Sequence, residues 1–457
     1  MAKPSLPQGT RDFGPEVIRK RNFIFETIRN VFELYGFQPL ETPAMENIDT
    51  LMGKYGEEGD KLIFKILNNG LDNPEKEQQL REDFEKILQG KNVKGITERA
   101  LKYDLTIPFA RYVAMNHHQL IFPFKRYQIQ PVWRADRPQK SRYREFYQCD
   151  ADVVGSNALL NEVELVNIYI SVFDQLKIGV EIRINNRKIL QALAEICGTE
   201  RITDITIAID KLDKIGIDKV KEELAGKGLN ENQIATIDSY LSIARYSGDN
   251  KTILAELSRL FDKCLIGREG LVDISFILSN TSNLAFSTKI WIDPTLARGL
   301  NYYTGSIFEV KATNVAIGSI GGGGRYDDLT GLFGVPNIPG VGISFGVDRI
   351  YDVMEELKLF PDEIHVGTQV LFFNLGEAES KTAFSLMQQL RNKGVRCEMF
   401  HEQAKFDKQF KYAEKKNIPF IIIIGEKELT EKTCTIKNLT TSLQETISTN
   451  NLLSYTF

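Results

Sequence analysis

The sequence is poor in the residues that build metal and disulfide sites. Its 457 residues include five cysteines, none of which lies in a C-x-x-C pair. This spacing argues against a thiolate zinc site and a disulfide framework, and it fits a reducing cytosol. Four histidines are present, which is little material for an imidazole metal centre. We therefore expect a cytoplasmic protein without a metal site built from its own side chains.

Long apolar segments are also missing. The longest aliphatic run, Ile418–Ile424, is far too short to span a bilayer and is typical of a buried central strand. The N-terminal segment MAKPSLPQGTRDFGPE has no apolar core, so we expect neither a signal peptide nor a membrane partner. The formal net charge of -4 does not favour nucleic acid and does not exclude it, because local clusters of charge decide.

The length of the chain and the changes in its composition predict several domains. A chain of 457 residues is too long for one compact core. An amphipathic helix from about Glu16 to Tyr35 carries a buried stripe and ends at Gly36. Residues 71–98 are highly charged, which predicts an exposed excursion of the mobile-loop type.

Two further regions differ from the rest of the chain. Residues from about 190 to 283 are charged and helix-periodic, which indicates an inserted helical module. From about residue 364 the chain alternates strands and helices in the order β-α-β-α-β. That alternation is typical of a separate α/β domain.

A basic hairpin is the most distinctive local feature. Two strand-like runs, Phe122–Asp136 and Arg142–Val154, flank a short polar loop, which predicts a β-hairpin. The segment from Lys125 to Arg144 contains seven basic residues and one acidic residue. The positive field of such a cluster suits phosphates. A solvated surface hairpin would explain the basic run alone equally well.

The alternation of side chains on the returning strand favours a ligand site. One predicted face carries two arginines, a ring, an amide and two carboxylates: Arg142, Arg144, Phe146, Gln148, Asp150 and Asp152. Such a face is poor core material. It suits a polar ligand, because arginine binds phosphate, phenylalanine stacks on a flat base and carboxylates accept from N–H groups.

Four other segments fit the same site. Asp104 and Thr106 are predicted to share one face, and Arg298–Gly305 places a guanidinium beside two tyrosines. Gly321–Gly324 allows close backbone approach to a ligand, although such a run is more often a flexible turn. Gly340–Arg349 is predicted to be a strand that leads into a helix, with its arginine at the helix start.

Together these residues resemble the class II aminoacyl-tRNA synthetases. Residues 16–43 resemble motif 1, a dimer-interface element, residues 134–146 resemble motif 2, and residues 342–349 resemble motif 3. The similarity is closer still to the histidyl-tRNA synthetase family, whose signatures the following segments resemble: PQGTRD (7–12), RPQKSRYREF (137–146), LARGLNYYTG (296–305) and GGGGRYDDL (321–329).

Three residues depart from the usual pattern of that family. Asp136 and Asp152 stand where glutamate is common, which shortens each carboxylate by one methylene and keeps its charge. Asn301 stands where the histidine motif usually has aspartate, and it removes a charge beside Tyr302. An ionic pairing made by the usual aspartate is therefore not expected at this position.

The resemblance implies an α+β fold and a ligase activity. It implies an antiparallel-sheet catalytic domain with an inserted helical module, plus a C-terminal α/β anticodon-binding domain. The implied bounds are 1–189 and 284–358 for the catalytic domain, 190–283 for the insertion and 364–457 for the last domain. The implied reaction activates L-histidine with ATP and magnesium to histidyl-adenylate, then loads histidine onto the 3′ end of its tRNA. A homodimer is implied through motif 1.

The resemblance also implies roles for single residues. Arg134 would hold the α-phosphate, and the remaining ATP-binding residues would be Asp136, Arg142, Phe146 and Arg349. The histidine-binding residues would be Asp104, Thr106, Gln148, Asp152, Arg298, Tyr302 and Tyr303. Because a guanidinium stays charged and bonds two oxygens, Arg298 is our choice for the catalytic cation, together with Arg134. Gln139 and Lys140 are candidates to touch the tRNA acceptor end.

Three other functions stay open at this point. Synthetase-like paralogues serve as regulatory subunits of histidine biosynthesis, but they typically lack the C-terminal domain and lose catalytic arginines, whereas this chain retains Arg134, Arg298 and Arg349. The segment 298–305 and the absence of cysteine–histidine metal spacing count against a synthetase for proline or threonine. A pure RNA-binding module would not need the strand-face pattern from Arg142 to Asp152.

Overall fold

The computed structural model describes residues 3–139, 142–246, 248–281, 288–297, 302–361, 364 and 367–457. The chain divides into two compact units. One comprises residues 1–14 with 20–359, and the other comprises residues 15–19 with 360–457.

The first unit contains strands from the N-terminal, central and later parts of its sequence. Their bounds are β1 (Gln38–Pro39), β2 (Met45–Asn47), β3 (Lys65–Ile66), β4 (Arg99–Leu101), β5 (Phe124–Trp133), β6 (Glu145–Val154), β7 (Val180–Asn186), β8 (Thr288–Ile292), β9 (Ser306–Ala312), β10 (Gly321–Tyr326) and β11 (Gly340–Gly346). In the described part of the chain, eight of them form one sheet in the order β1-β5-β6-β11-β10-β9-β7-β8. The pairs β1–β5 and β7–β8 are parallel, and the other neighbours are antiparallel.

Helices surround this sheet and make up the region predicted to be inserted. Their bounds are α1 (Pro15–Leu34), α2 (Ile48–Leu51), α3 (Gly56–Asp60), α4 (Glu77–Leu88), α5 (Thr106–Asn116), α6 (Leu160–Gln175), α7 (Arg187–Ile196), α8 (Ile202–Asp210), α9 (Leu212–Gly226), α10 (Glu231–Ser242), α11 (Asn250–Leu260), α12 (Leu265–Asn280) and α13 (Val347–Glu356). Ile24, Ile28 and Val31 of α1 are buried as predicted. Tyr35 is only half-buried because the helix ends one residue earlier, and Phe32 completes the buried stripe instead.

The predicted hairpin is present as β5 and β6, which pair antiparallel over ten residues each. The strands are shorter than predicted. Arg134 and Asp136 follow the end of β5, and Arg142 and Arg144 precede β6, so none of the four belongs to a strand. In the described part of the loop, Gln139 and Arg142 form an isolated β-bridge.

The four consecutive glycines form a central strand rather than a flexible turn. Strand β10 begins at Gly321 and lies between β9 and β11. A Cβ on Gly323 would lie 2.2 Å from the carbonyl oxygen of Gly342, and a Cβ on Gly324 would lie 2.7 Å from that of Ser306. The glycines are therefore needed because the neighbouring backbones approach too closely for side chains.

Residues 71–98 contain a helix, so the prediction of a loop was incomplete. Helix α4 is mostly exposed, as the charge predicted. It is stabilised locally, because Arg81 bonds Glu77 one turn earlier and Asp83 accepts from Gln79 and Lys86.

The second unit contains the predicted β-α-β-α-β alternation and an extension of it. Its elements are β12 (Val370–Phe372), α14 (Glu377–Asn392), β13 (Cys397–Met399), α15 (Phe406–Lys415), β14 (Phe420–Ile423), α16 (Glu426–Glu431), β15 (Thr433–Asn438) and β16 (Gln444–Ser448). The sheet order is β13-β12-β14-β15-β16, with β15 and β16 added antiparallel. The sequence did not predict these two strands, because their polar residues lack the apolar run that marks β14. No helix within the described ranges is long and apolar enough to cross a bilayer.

Candidate active site

A row of polar residues crosses the centre of the large sheet. Directly opposed residues of antiparallel strands point to the same face. The register therefore aligns one residue from each of six strands on one face: Gln128, Asp150, Ser344, Gly322, Glu309 and Arg183. The predicted ligand face of β6 is thus part of a polar surface that several strands share.

A cleft of about 610 Å³ lies over this face. Seven of the predicted site residues line it: Arg134, Asp136, Arg142, Phe146, Gln148, Tyr303 and Arg349. Its floor includes Gly321–Gly323, Ser344 and Gly346, whose small size leaves the space open. The cleft therefore brings together side chains that are up to 215 positions apart in sequence, from Arg134 to Arg349.

Arg134 is held in place by backbone and aromatic contacts. Its Nε donates to the carbonyl oxygen of Tyr103 at 3.0 Å. Its guanidinium carbon lies 4.3 Å from the centre of the Tyr103 ring and 5.2 Å from that of Phe146. These cation–π contacts fix the plane of the guanidinium at the cleft wall without neutralising its charge.

Asp136 and Arg142 form an ion pair across the loop of the hairpin. Arg142 Nη2 lies 2.7 Å from Asp136 Oδ1, and Arg144 Nε donates to the Asp136 carbonyl oxygen at 3.1 Å. Asp136 is buried, and the Arg142 side chain is 47% exposed. Asp136 therefore orients the loop arginines.

The opposite wall contains Arg349, the second residue after Val347 at the start of α13. Its Nη1 donates to the carbonyl oxygen of Ser319 at 2.7 Å. The preceding residue, Asp348, is buried and accepts from Arg21 Nη1 at 2.6 Å and from the backbone N–H of Tyr147 at 3.2 Å. These bonds tie the start of α13 to β6, so that Arg349 and Phe146 line the same cleft.

Four other predicted histidine-binding residues are not among the described residues that line the cleft: Asp104, Thr106, Asp152 and Tyr302. Asp104 and Thr106 are at the start of α5 rather than on a strand, and Asp104 accepts from the Ile107 N–H at 3.1 Å. Asp104 also accepts from the hydroxyls of Tyr55, at 2.9 Å, and Tyr302, at 3.4 Å. Burial raises the pKa of Asp104, and these hydrogen bonds oppose the rise.

Asp152 belongs to a fully buried ion pair. Arg126 Nη2 lies 2.8 Å from Asp152 Oδ2, and the hydroxyl of Tyr326 donates to the other carboxylate oxygen. Burial raises the pKa of Asp152, while Arg126 and Tyr326 lower it. The prediction that the whole basic cluster creates a field for phosphates was therefore wrong for Arg126, and also for Lys125, which pairs with Glu164 at 2.6 Å.

Several predicted residues cannot be placed in this geometry. Arg298, Asn301 and Lys140 lie outside the described residues. Gln139 is exposed and contacts Arg142 through the loop bridge.

Several residues that line the cleft were not predicted from the sequence, among them Arg183, Glu309 and Ser344. Glu309 pairs with Lys311 at 3.5 Å and accepts from the Ser319 hydroxyl. All three lie on strands of the large sheet, where the two-residue alternation assigns each side chain to one of two faces. The strand order was needed to show that these faces coincide.

The sheet and the arginine-lined cleft are those of a class II aminoacyl-tRNA synthetase. The family model described as histidyl-tRNA synthetase matches residues 76–350, and the one described as anticodon binding domain matches residues 369–456. The chain belongs to the histidyl-tRNA synthetase family.

Individual relatives agree with this assignment over the whole chain. A histidine–tRNA ligase of Bacteroides fragilis is 53% identical over 455 residues, which cover 99% of this chain and 98% of that protein. One of Phocaeicola vulgatus is 52% identical and covers 99% of both. The crystal structure of histidyl-tRNA synthetase from Nostoc sp. PCC 7120 superposes with a TM-score of 0.81 at 31% identity and covers 99% of both chains.

Proposed function

We propose that this chain performs both steps of histidine–tRNA ligation at the cleft described above. The activity is that of a histidine–tRNA ligase. In the first step the carboxylate of histidine attacks the α-phosphorus of ATP and pyrophosphate leaves. In the second step the terminal hydroxyl of the tRNA attacks the adenylate, and AMP leaves. Neither step needs a protein nucleophile, so positioning and fixed positive charge supply the catalysis.

The observation that carries this proposal is the placement of Arg134, Arg142 and Arg349 around one cleft with Phe146. Arg134 would hold the α-phosphate, because its guanidinium is fixed between two rings and keeps its charge. Phe146 and Arg349 would pack on opposite faces of adenine, with Arg349 reaching the γ-phosphate. Arg142, oriented by Asp136, would support the phosphates.

The cleft fits magnesium that arrives with ATP as part of the substrate. No group of three histidine, cysteine or acidic residues that could hold a metal occurs among the described residues. A magnesium ion bound to phosphates needs only one or two carboxylates and keeps several waters. Glu309, a buried carboxylate on the floor of the cleft, is our choice for such a ligand.

Histidine would occupy the inner part of the site. Gln148 lines the cleft, and with Asp104 and Thr106 it would bind the α-amino group. Tyr303 and Asp152 would contact the imidazole ring, and Tyr302 would line the pocket. Buried polar partners of this kind reject substrates that cannot pair with them, which supports selectivity for histidine.

Arg298 is our proposed catalytic cation beside the α-phosphate and the attacking carboxylate. This assignment rests on its position in the histidine signature at residues 296–305. Loss of such a charge would remove about 3–4 kcal/mol of transition-state stabilisation, by analogy with the loss of an oxyanion donor.

The tRNA would contact both units. Gln139 and Lys140 on the hairpin loop would touch the acceptor end, and residues 364–457 would bind the anticodon, a role supported by the match at residues 369–456. We further propose that residues 1–189 and 284–358 form the catalytic domain, interrupted by the module at 190–283. A cytosolic location is supported by five buried cysteines without a disulfide. A homodimer is supported by the resemblance of residues 16–43 to motif 1.

Histidine-dependent ATP–pyrophosphate exchange tests the first step. We expect exchange with histidine and none with proline or threonine, and a loss of at least about 100-fold in an Arg298→Ala variant. Aminoacylation of total tRNA with labelled histidine tests the second step. A folded protein that binds histidine but supports no exchange would contradict the proposal and favour a regulatory paralogue.

A further inference from the structure

A chain of three side chains connects the cleft to the polar row beneath it. Gln148 lies on β6 at the cleft, and its amide nitrogen donates to the hydroxyl oxygen of Ser344 on β11 at 2.9 Å. Ser344 is directly opposite Asp150 in the sheet, so its hydroxyl and the Asp150 carboxyl lie on one face, where a hydrogen bond from the hydroxyl to the carboxyl would oppose the rise in the pKa of Asp150. The order along the face is therefore Gln148, Ser344, Asp150.

The directions of these hydrogen bonds follow from the chemistry of each group. An ionised aspartate only accepts, so the Ser344 hydroxyl must give its one proton to Asp150. Ser344 can then only accept from Gln148. Gln148 must present its NH₂ group to Ser344, and its carbonyl oxygen must point the other way.

That carbonyl oxygen has no hydrogen-bond partner among the residues that the structure describes. Gln148 Oε1 is buried and accepts no hydrogen bond from the described residues. A buried acceptor without a donor costs free energy, and a ligand that brings N–H groups removes this cost. The α-ammonium group of an amino acid is such a ligand, since it has three donors and no acceptor.

We propose that Asp150 and Ser344 are positioning residues for amino-acid recognition: Asp150, acting through the Ser344 hydroxyl, fixes the Gln148 carbonyl oxygen toward the α-ammonium group of bound histidine. This inference rests on the proposed function. It adds two residues to amino-acid recognition, and it assigns them the orientation of one amide.

The alternative is that these residues only pack the sheet. Asp150 is buried on the polar row, so its removal could disturb the whole face. A packing role would weaken every ligand of the site alike. A role in orienting Gln148 would weaken only ligands that carry the α-amino group.

The test therefore compares ligands that differ in this group. Histidine and histidinol carry it, and 3-(imidazol-4-yl)propanoate lacks it. Inhibition constants for the two analogues and the KM for histidine are measured by pyrophosphate exchange at pH 8, where Asp150, with a pKa raised to about 7, is ionised. The variants are Ser344→Ala and Asp150→Asn. The matched control is Ser171→Ala. This variant loses one hydroxyl, which lies on a helix outside the cleft and hydrogen-bonds the hydroxyl of Tyr35.

We expect Ser344→Ala and Asp150→Asn to weaken the binding of histidine and histidinol by about 10- to 150-fold, the range for losing one hydrogen bond to a charged group. Binding of the propanoate and the KM for ATP should stay within about twofold of wild type. In a Gln148→Ala background, Ser344→Ala should have no further effect on histidine, because the group it orients is gone. Ser171→Ala should match wild type throughout.

Each other outcome has a distinct meaning. Equal losses for all three ligands, or a full Ser344→Ala effect in the Gln148→Ala background, would overturn the positioning role. No change in any ligand would overturn it as well. Wild-type protein without histidine-dependent exchange would overturn the proposed function, and this inference with it.

Discussion

The two ends of the candidate site are built from different kinds of side chain. At the outer end, Arg134 and Arg142 are at least partly exposed and keep their charge toward the cleft. At the inner end, the carboxylates of Asp104, Asp150 and Asp152 are almost fully buried, and burial raises the pKa of each. The end that we propose to bind phosphate therefore relies on solvated cations, whereas the buried charges at the end that we propose to bind histidine need internal partners.

This difference predicts that substitutions at the inner end lower stability first and substitutions at the outer end lower activity first. The largest effect is expected for Arg126→Ala, which leaves Asp152 with a buried and unpaired charge. We expect the free energy of unfolding to fall by about 3–5 kcal/mol, as measured by urea denaturation. The double variant Arg126→Met with Asp152→Asn, which removes both charges, should be more stable than the single variant. If the single variant lost less than about 1 kcal/mol in its free energy of unfolding, the stability of the fold would not depend on the ion pair between Arg126 and Asp152.

At the outer end, Arg134→Ala should lower kcat/KM for pyrophosphate exchange by about 100- to 1,000-fold, because a fixed charge at the α-phosphate is lost. Its free energy of unfolding should stay within about 1 kcal/mol of wild type. Exchange kinetics and urea denaturation on the same preparation separate the two effects. If Arg134→Ala lowered the free energy of unfolding but kept its specific activity, the expected order of effects at the outer end would be contradicted.

The buried Asp150 predicts a dependence of stability on pH. Burial is the main cause that raises its pKa to about 7, above the ordinary value near 4 of the unfolded chain. The folded state therefore binds a proton that the unfolded state has lost, and this contribution to stability disappears as pH rises through about 7. In the ligand-free protein, Asp150→Asn should gain at least about 1 kcal/mol relative to wild type between pH 5 and pH 8. The exposed Asp174→Asn should show no such gain in urea denaturation at the two pH values.

The smallest effect is expected at the exposed ion pair of the hairpin loop. Arg142→Gln breaks the 2.7 Å contact with Asp136, but the arginine is 47% exposed and water replaces the lost partner. The free energy of unfolding should change by less than about 1 kcal/mol in a thermal denaturation series. A larger loss of free energy of unfolding would mean that the stability of the outer end also depends on ion pairs within the protein.

The sequence predicted the elements that carry the site better than the contacts within it. The hairpin, the strand that leads into α13 and the α/β alternation of the second unit follow from patterns over adjacent residues, and all are present. The local conformation at Asp104 was not predicted, because the pattern of four residues from Tyr103 to Thr106 does not distinguish a strand from the approach to a helix, and a helix begins at Thr106. Residues 71–98 were predicted to be an exposed excursion, and their helix was not predicted. Polar pairs rather than an apolar stripe stabilise that helix, so it lacks the hydrophobic pattern by which a helix is recognised.

The amino-acid sequence by itself determined which residue types could serve the site: arginines for phosphate, a ring for the base and carboxylates for N–H groups, spaced so that they alternate on strands. The tertiary structure decided which of them meet. Ser344 reaches Gln148 across 196 positions of sequence, and Arg126 is assigned to Asp152 rather than to phosphate by the pairing of β5 with β6. Strand order and register set these partnerships, and both depend on contacts between distant segments that no local pattern encodes.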